Sequence, residues 1–181
     1  MLDEREILNQ ESIVITIERL CHELIEAHDT FDNVVLIGLQ PRGAYLNNRI
    51  LKKLKLILPN SDIKSGNVDI SFYRDDLMRR EKPIIPQVMD IDISLEGKKI
   101  VLVDDVLFTG RSVRSAIDAL MSFGRPDSIE LLILIDRRFS RDLPIEPNYV
   151  GKTIDAIESE KIIVEWQENL GNDRVLMRKS I

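Results

Sequence analysis

Residues 101–113 read Val-Leu-Val-Asp-Asp-Val-Leu-Phe-Thr-Gly-Arg-Ser-Val, an apolar run followed by two carboxylates, a short turn and the start of a helix. The run from Ile100 to Val103 is long enough for a buried strand and too short for a helix. Asp104 and Asp105 are therefore expected at the carboxyl end of that strand. Open α/β sheets bind ligands at this edge, because loops leave the strands there and the following helices direct their amino ends at the same crevice.

The turn that follows the two carboxylates is suited to bind a phosphate group. Thr109 and Gly110 let the backbone turn closely, and Ser112 is predicted to cap a helix whose first N–H groups need acceptors. Carboxylates would repel a phosphate, so a group that carries hydroxyl donors is expected between them. A ribose 5-phosphate fits, because its vicinal hydroxyls can donate to Asp104 and Asp105 while its phosphate accepts from the amides of the turn.

The rest of the chain alternates between helical and strand patterns, which favours an α/β fold with a mainly parallel, twisted sheet flanked by helices. Turn-forming glycines and prolines separate the segments. The charged segment 73–82 and the proline-rich stretch after it are predicted to form an exposed, mobile loop. Helices are predicted at residues 11–28 and 113–121, and a third helical pattern runs through Leu46 and Leu54 up to Pro59. Strands are predicted at residues 34–37, 67–72, 100–103, 129–135, 161–164 and 174–177.

Composition limits the classes of protein that the chain can represent. At 181 residues, 44% hydrophobic and 31% charged, it is expected to form one domain over residues 1–181 with a substantial core. A net charge of −6 argues against nonspecific coating of nucleic acid. The single cysteine, Cys21, excludes an internal disulfide, and no export leader or long apolar run is seen. A cytoplasmic protein with no membrane partner is expected.

Several motifs together resemble a known family. Residues 101–113 resemble the phosphoribosyl diphosphate (PRPP) motif of type I phosphoribosyltransferases. The order and spacing of five segments are similar to those of bifunctional pyrimidine operon regulators with uracil phosphoribosyltransferase activity, and the resemblance covers nearly the whole chain. These segments are Gln40-Pro41-Arg42-Gly43, Tyr73-Arg74-Asp75-Asp76-Leu77, Asp136-Arg137, Leu143-Pro144-Ile145 and Tyr149-Val150-Gly151-Lys152.

The resemblance implies a type I phosphoribosyltransferase fold with a small hood and a lid over about residues 73–90. It also implies that uracil and PRPP give UMP and diphosphate, with Mg²⁺ held by the oxygens of PRPP and by no protein ligand directly. Asp104 and Asp105 would hold the ribose hydroxyls, and Arg42 would bind the leaving diphosphate through paired donors. The residues implied to bind PRPP are Pro41, Gly43, Val106, Leu107, Phe108, Thr109, Gly110, Arg111 and Ser112.

The resemblance assigns roles to the lid and to the base site as well. Arg74, with Tyr73, Asp75 and Asp76, would close over the reacting groups and exclude water. Asp136 and Arg137 would lie near the uracil base. In this family the loop at residues 40–43 can carry a cis peptide, and a proline at position 41 makes a cis Gln40–Pro41 bond accessible without deciding the isomer.

The second activity of the family is nucleotide-dependent binding of a messenger RNA leader. Arg19, His22 and Lys152 stand where the family uses basic or polar RNA contacts, and UMP or UTP would control that binding. Homo-oligomers, dimers or larger, are also implied. The alternative hypothesis is an RNA-binding attenuator of the pyrimidine operon in which nucleotide binding acts mainly as a sensor.

Two other motifs share parts of these segments. Val-Leu-Val-Asp-Asp also occurs in receiver domains, but there it lies near the start of the domain, and Thr-Gly-Arg-Ser would have no function. Gly151-Lys152-Thr153 resembles the end of a P-loop, yet Glu146 occupies the position where that loop needs glycine.

Overall fold

The computed structural model describes residues 4–71, 91, 93–157 and 159–179. Strands and helices alternate along most of the chain, as the sequence predicts. The elements are β1 (Glu4–Leu8), α1 (Gln10–His28), β2 (Val34–Leu39), α2 (Arg42–Ile57), β3 (Lys64–Val68), β4 (Lys99–Leu107), α3 (Arg111–Leu120), β5 (Ser128–Arg138), β6 (Tyr149–Asp155), β7 (Glu160–Glu165), α4 (Gln167–Leu170) and β8 (Arg174–Lys179).

Five strands form a central sheet in the order β3-β2-β4-β5-β6, and every neighbouring pair is parallel. The middle strands are continuous apolar runs because helices cover both of their faces. Alternate residues of β4 confirm this, since Val101 and Val103 belong to one apolar cluster and Ile100 and Leu102 to the other. The predicted α/β class with a mainly parallel sheet is confirmed.

Helices α1 and α2 pack on one face of the sheet and α3 packs on the other. Each helix presents an apolar stripe to the sheet, as Ile13, Ile17 and Leu24 do from α1. Asn9 caps α1, because its side chain accepts a hydrogen bond from the Ser12 amide at 2.9 Å. The predicted helices therefore form, with boundaries shifted by only a few residues.

A second, antiparallel sheet has the strand order β1-β8-β7. We call this sheet together with α4 the hood. Its apolar residues Leu8, Val164, Trp166 and Val175 belong to the same buried cluster as α1 and α2. The hood is therefore packed on the main domain through a shared core.

Some boundaries differ from the sequence predictions. The strand predicted at residues 67–72 forms at Lys64–Val68 instead. Strands β4 and β5 extend past the predicted ends, so Asp104, Asp105, Asp136 and Arg137 lie inside strands rather than after them. Polar residues can continue a strand when the ladder to its neighbours continues, as it does from Asp104 to Leu107 along β5. Strands β1 and β6 were not predicted.

In the part of the chain that the structure describes, no helix combines the length and apolar character needed to span a bilayer. The predicted lid, which includes Tyr73, Arg74, Asp75 and Asp76, lies outside the described residues.

Candidate active site

The carboxyl ends of β2 and β4 open into a cleft with two adjoining cavities, of about 290 Å³ and about 500 Å³. Four residues line both cavities: Asp104, Val106, Phe108 and Ser112. The smaller cavity lies over the turn into α3, and the larger one extends toward the loop at residues 40–42 and the hood. The two cavities together form one elongated site that could hold a ligand with chemically different ends.

The turn from β4 into α3 surrounds the smaller cavity. Gly110 has φ +90°, a left-handed conformation that favours glycine, and α3 begins at the next residue. The first turn of a helix has N–H groups without helical acceptors, so this end can bind an anion. All seven residues predicted for PRPP binding in this segment, 106–112, line the cavity.

The capping prediction for Ser112 is wrong. Gly110 occupies the N-cap position of α3 and no side chain caps the helix there, so Ser112 lies inside the first turn. Its side chain instead lines both cavities of the cleft. The left-handed Gly110 starts the helix earlier than a serine cap would.

Asp104 and Asp105 form the floor of the cleft and are both buried. The amide of Asp105 donates to Asp104 Oδ1 at 2.9 Å, whereas Oδ2 of Asp105 has no hydrogen-bond partner. Burial, followed by the charge of Asp105, raises the pKa of Asp104 well above its usual range. Burial also raises the pKa of Asp105, and the charge of Arg42 opposes this. An unpaired buried carboxylate oxygen needs a donor, which a ligand hydroxyl can supply.

The loop between β2 and α2 approaches this acidic floor. The Gln40–Pro41 peptide, whose isomer the sequence left undecided, is cis. A Cβ on Gly43 would lie 2.4 Å from the carbonyl oxygen of Val103 and 3.0 Å from Cα of Asp104, so only glycine fits there. Pro41 and Arg42 line the larger cavity, and the charge of Arg42 acts to lower the pKa of both aspartates.

The hood side of the cleft is formed by Phe108, Arg137 and Ile162. The guanidinium of Arg137 lies 4.1 Å from the centroid of the Phe108 ring, and its Nη2 donates to the Ile157 carbonyl at 3.3 Å. Burial lowers the pKa of Arg137, and its buried Nε has no hydrogen-bond partner. This end of the cleft combines an aromatic ring, an aliphatic side chain and an unused donor, which suits a flat heterocycle with carbonyl groups.

Asp136 does not line this cleft. Its carboxylate forms an ion pair with Arg141, which the sequence analysis did not identify. Ile162 was also missed, because it lies on a hood strand far along the chain and nothing in its local pattern indicates a ligand. Asp69 and Ser71 line the larger cavity together with Pro41 and were also missed, because nothing in their local pattern indicates a ligand.

The residues predicted to contact RNA do not line the cleft, and Arg19 and Lys152 lie where α1 packs against β6 and β1. Arg19 donates to the carbonyls of Val150 and Gly151, at 3.0 and 2.6 Å, and also pairs with Glu23. Lys152 Nζ lies 3.4 Å from the Ile7 carbonyl, and both Lys152 and His22 are exposed. The structure therefore brings Arg19 and Lys152 to the same region of the surface.

Within residues 4–71, 91, 93–157 and 159–179, no three histidine, cysteine or acidic side chains are grouped so that they could hold a metal ion.

Comparison with known proteins agrees with this geometry. Residues 3–169 match the family model described as phosphoribosyl transferase domain. The hypoxanthine phosphoribosyltransferase from Staphylococcus aureus superposes with a TM-score of 0.69 at 21% identity, over 99% of this chain and 93% of that one. The Trypanosoma cruzi hypoxanthine phosphoribosyltransferase gives a TM-score of 0.72 at 16% identity, covering 98% and 97% of the two chains. The fold and the site therefore define a type I phosphoribosyltransferase.

Curated relatives narrow the class further. The bifunctional protein PyrR of Acetivibrio thermocellus is 47% identical over 169 residues, 93% of this chain and 90% of that protein. The proteins of the same name from Enterococcus faecalis and Bacillus subtilis are each 40% identical, over 98% and 93% of this chain and the same shares of their own lengths. The chain belongs to the PyrR group of the phosphoribosyltransferase family.

Proposed function

We propose that the protein transfers the phosphoribosyl group of PRPP to uracil, forming UMP and diphosphate, and that nucleotide binding also controls a regulatory interaction with pyrimidine-operon RNA. The observation that carries the proposal is the buried Asp104–Asp105 pair, which lies between a phosphate-binding turn on one side and Arg42 on the other. An activated pentose carries a phosphate at one end, hydroxyls in the middle and a diphosphate at the other end, in the same order.

In the reaction, the bond from the anomeric carbon to the diphosphate oxygen breaks, and a bond from that carbon to a uracil nitrogen forms. That nitrogen loses its proton, which leaves with the diphosphate or passes to water. Positive charge develops on the ribose ring and negative charge on the diphosphate. Catalysis therefore depends on positioning and on electrostatic stabilisation. Asp104 and Asp105 accept hydrogen bonds from the ribose hydroxyls and face the cationic ring. Ligand binding also gives the buried Oδ2 of Asp105 the donor that it lacks.

The leaving diphosphate is assigned to the loop at residues 40–43. Arg42 is exposed at the mouth of the cleft and offers the paired donors that match phosphate oxygens. The absence of a side chain at Gly43 lets this loop approach the aspartates closely. Mg²⁺ bound to the oxygens of PRPP supplies charge neutralisation of the leaving group. Arg74, which lies outside the described residues, is proposed to close over the reacting groups and exclude water.

The acceptor base is assigned to the hood side, against Phe108, Arg137 and Ile162. The unpaired Nε of Arg137 can donate to a carbonyl of uracil. The resemblance to pyrimidine operon regulators favours uracil, whereas the solved structures at 15–21% identity act on purines by their names. Acceptor preference is therefore the part of the proposal that an experiment needs to test first.

The test supplies the purified protein with PRPP, Mg²⁺ and one labelled base at a time: uracil, cytosine, hypoxanthine or guanine. The proposal expects UMP and diphosphate in equal amounts, formation that depends on Mg²⁺, and little product from the purines. Formation of a purine nucleotide in preference to UMP would reject uracil as the acceptor while retaining the transferase. Absence of every nucleotide product would reject the enzymatic proposal.

The regulatory proposal rests on Arg19 and Lys152 at the surface where α1 meets β6, with the exposed His22 of α1 as a further candidate contact. Titration of a pyrimidine-operon leader RNA, with and without UMP or UTP and at two salt concentrations, tests this surface. Each phosphate contact contributes about one unit to the slope of log affinity against log salt, so Lys152→Gln should lower that slope by about one. UMP-tightened binding without measurable turnover would favour the attenuator in which the nucleotide acts only as a sensor.

A further inference from the structure

Segment 141–145 runs along the side of the phosphate turn that faces away from the cleft. The guanidinium of Arg141 donates from Nη1 to the carbonyl of Leu107 at 3.3 Å and to that of Phe108. The backbone amides of Asp142 and Leu143 both donate to the carbonyl of Thr109, at 3.0 and 3.2 Å. Three consecutive carbonyls of the turn are therefore held by one segment on one side.

This arrangement determines where the amides of the turn point. In a trans peptide the C=O of one residue and the N–H of the next point in opposite directions. Because the carbonyls of residues 107, 108 and 109 point at segment 141–143, the N–H groups of Phe108, Thr109 and Gly110 point the other way. The cavity lined by the turn lies there.

Two further contacts fix the same turn. The Asp142 carboxylate accepts from Arg111 Nε at 2.9 Å, at the first residue of α3. The side chain of Ile145 packs so near Gly110 that a Cβ there would lie 3.1 Å from Ile145 Cδ1. Arg141 itself forms an ion pair with the carboxylate of Asp136, and it also donates to the carbonyls of Arg137 and Ile145.

We propose that Arg141 is a positioning residue which, held by Asp136, orients the amides of the turn at residues 107–110 toward the 5-phosphate of the phosphoribosyl donor. We call the Arg141–Asp136 pair the brace. The inference rests on the proposed function, and it assigns Asp136 to the brace rather than to contact with the base. Asp136 and Arg137 are consecutive residues of β5 and therefore face opposite sides of the sheet, which leaves Arg137 at the cleft and Asp136 at Arg141. Neither residue touches substrate, so both act through the turn.

The variants Arg141→Gln, Arg141→Lys and Asp136→Asn test the brace, with Arg138→Gln as the matched control. Arg138 lies on β5, the strand that carries Asp136, and donates to both carboxylate oxygens of Asp155, at 2.7 and 2.9 Å. It contacts no part of the turn. Each protein is assayed for kcat, for KM of PRPP and of uracil, and for binding of PRPP by calorimetry without acceptor. Thermal unfolding is measured in parallel.

Arg141→Gln is expected to raise KM for PRPP and weaken its calorimetric binding by about tenfold or more, because misdirected amides lose the phosphate. KM for uracil should change by less than about twofold. Arg141→Lys should be nearly as impaired, since an ammonium group lacks the planar fork that reaches several carbonyls. Asp136→Asn should shift KM for PRPP in the same direction, and Arg138→Gln should resemble the wild type.

Three results would overturn the brace. The first is full activity in Arg141→Lys, which would show that only the positive charge of the residue matters. The second is a rise in KM for uracil alone in Asp136→Asn, and the third is a lowered melting temperature with unchanged PRPP binding in the Arg141 and Asp136 variants. Failure of the wild type to make UMP would instead overturn the proposed acceptor. The calorimetric comparison of PRPP binding would still decide the brace.

Discussion

Two clusters of charge, each built on buried aspartates, differ in how far the protein itself neutralises them. In the first, called the hood cluster, Arg49 of α2 reaches the hood and donates to both carboxylate oxygens of Asp173 at 2.8 Å and to Glu168 at 2.7 and 3.2 Å. Its guanidinium lies 4.7 Å from the centroid of the Trp166 ring. In the cleft, Asp104 and Asp105 lie side by side, and one carboxylate oxygen has no partner.

The pKa shifts of the two clusters are opposite in sign. Burial alone would raise the pKa of Asp173, but hydrogen bonds from Arg49 and the Gln167 amide outweigh it and lower that pKa. At Asp104 burial and the charge of Asp105 dominate, so its pKa rises. The hood cluster therefore stabilises the folded chain, whereas the cleft cluster destabilises it until a ligand supplies donors. The difference separates a structural use of charge from a functional one.

The double variant Asp104→Asn, Asp105→Asn removes both carboxylates of the cleft cluster. Turnover should fall by about a thousandfold or more, because both acceptors for the ribose and the stabilising charge are lost. The ligand-free protein should nevertheless be more stable by about 2 kcal/mol, or roughly 4–8 °C in melting temperature, since neutral amides carry no buried charge. Assays of UMP formation and thermal unfolding measure the two effects.

The single variants control for local distortion. Each alone should lower turnover without lowering the melting temperature, because either substitution relieves the repulsion between the two carboxylates. A double variant that unfolds more readily than the wild type, and whose folded fraction keeps its turnover, would contradict the functional assignment of the pair.

Removal of Arg49 tests the hood cluster and should have the opposite balance of effects. Arg49→Gln leaves Asp173 buried without its partner, so we expect the free energy of unfolding to fall by about 2 kcal/mol. This loss is smaller than for a fully buried pair, because Glu168 is 41% exposed. Turnover well below the melting temperature should change by less than about twofold. Chemical denaturation and the UMP assay provide both values.

Arg114→Gln is the matched control for Arg49. It breaks an exposed pair with Asp118 on α3, 3.2 Å apart, which should contribute less than about 0.5 kcal/mol. Equal destabilisation by the two substitutions would show that the hood cluster acts as an ordinary surface pair.

The part of the site that could be predicted from sequence is the part built from neighbouring residues. Asp104, Asp105 and the turn proposed to bind the phosphate lie within one continuous stretch, residues 104–112, so the chain itself brings them together. Helix α1 was predictable for the same reason, because its apolar stripe repeats at the helical period. Local periodicity and turn chemistry were sufficient for these elements.

The remaining parts depend on contacts between distant segments. Arg141 acts on carbonyls more than thirty residues earlier in the chain, and Ile162 reaches the cleft from the hood. Strand β1 has mostly charged, exposed residues because it is the edge of a small sheet, and its pairing partner β8 lies at the other end of the chain. No pattern within either segment carries that information.

The two clusters should also differ in how they make the stability of the protein depend on pH. A raised pKa means that the folded chain keeps a proton that the unfolded chain has lost, so the cleft pair costs stability as pH rises above the ordinary aspartate pKa of about 3.9. The stability advantage of the cleft double variant should therefore be near zero at about pH 3.5, grow as pH rises, and then level off.

A lowered pKa at Asp173 has the opposite sign: its contribution is complete above the ordinary pKa and is lost as pH falls below it. The disadvantage of Asp173→Asn should therefore shrink only below about pH 4. Urea denaturation of the three proteins between about pH 3 and pH 8 measures both curves, and parallel curves would show that the two clusters do not differ in kind.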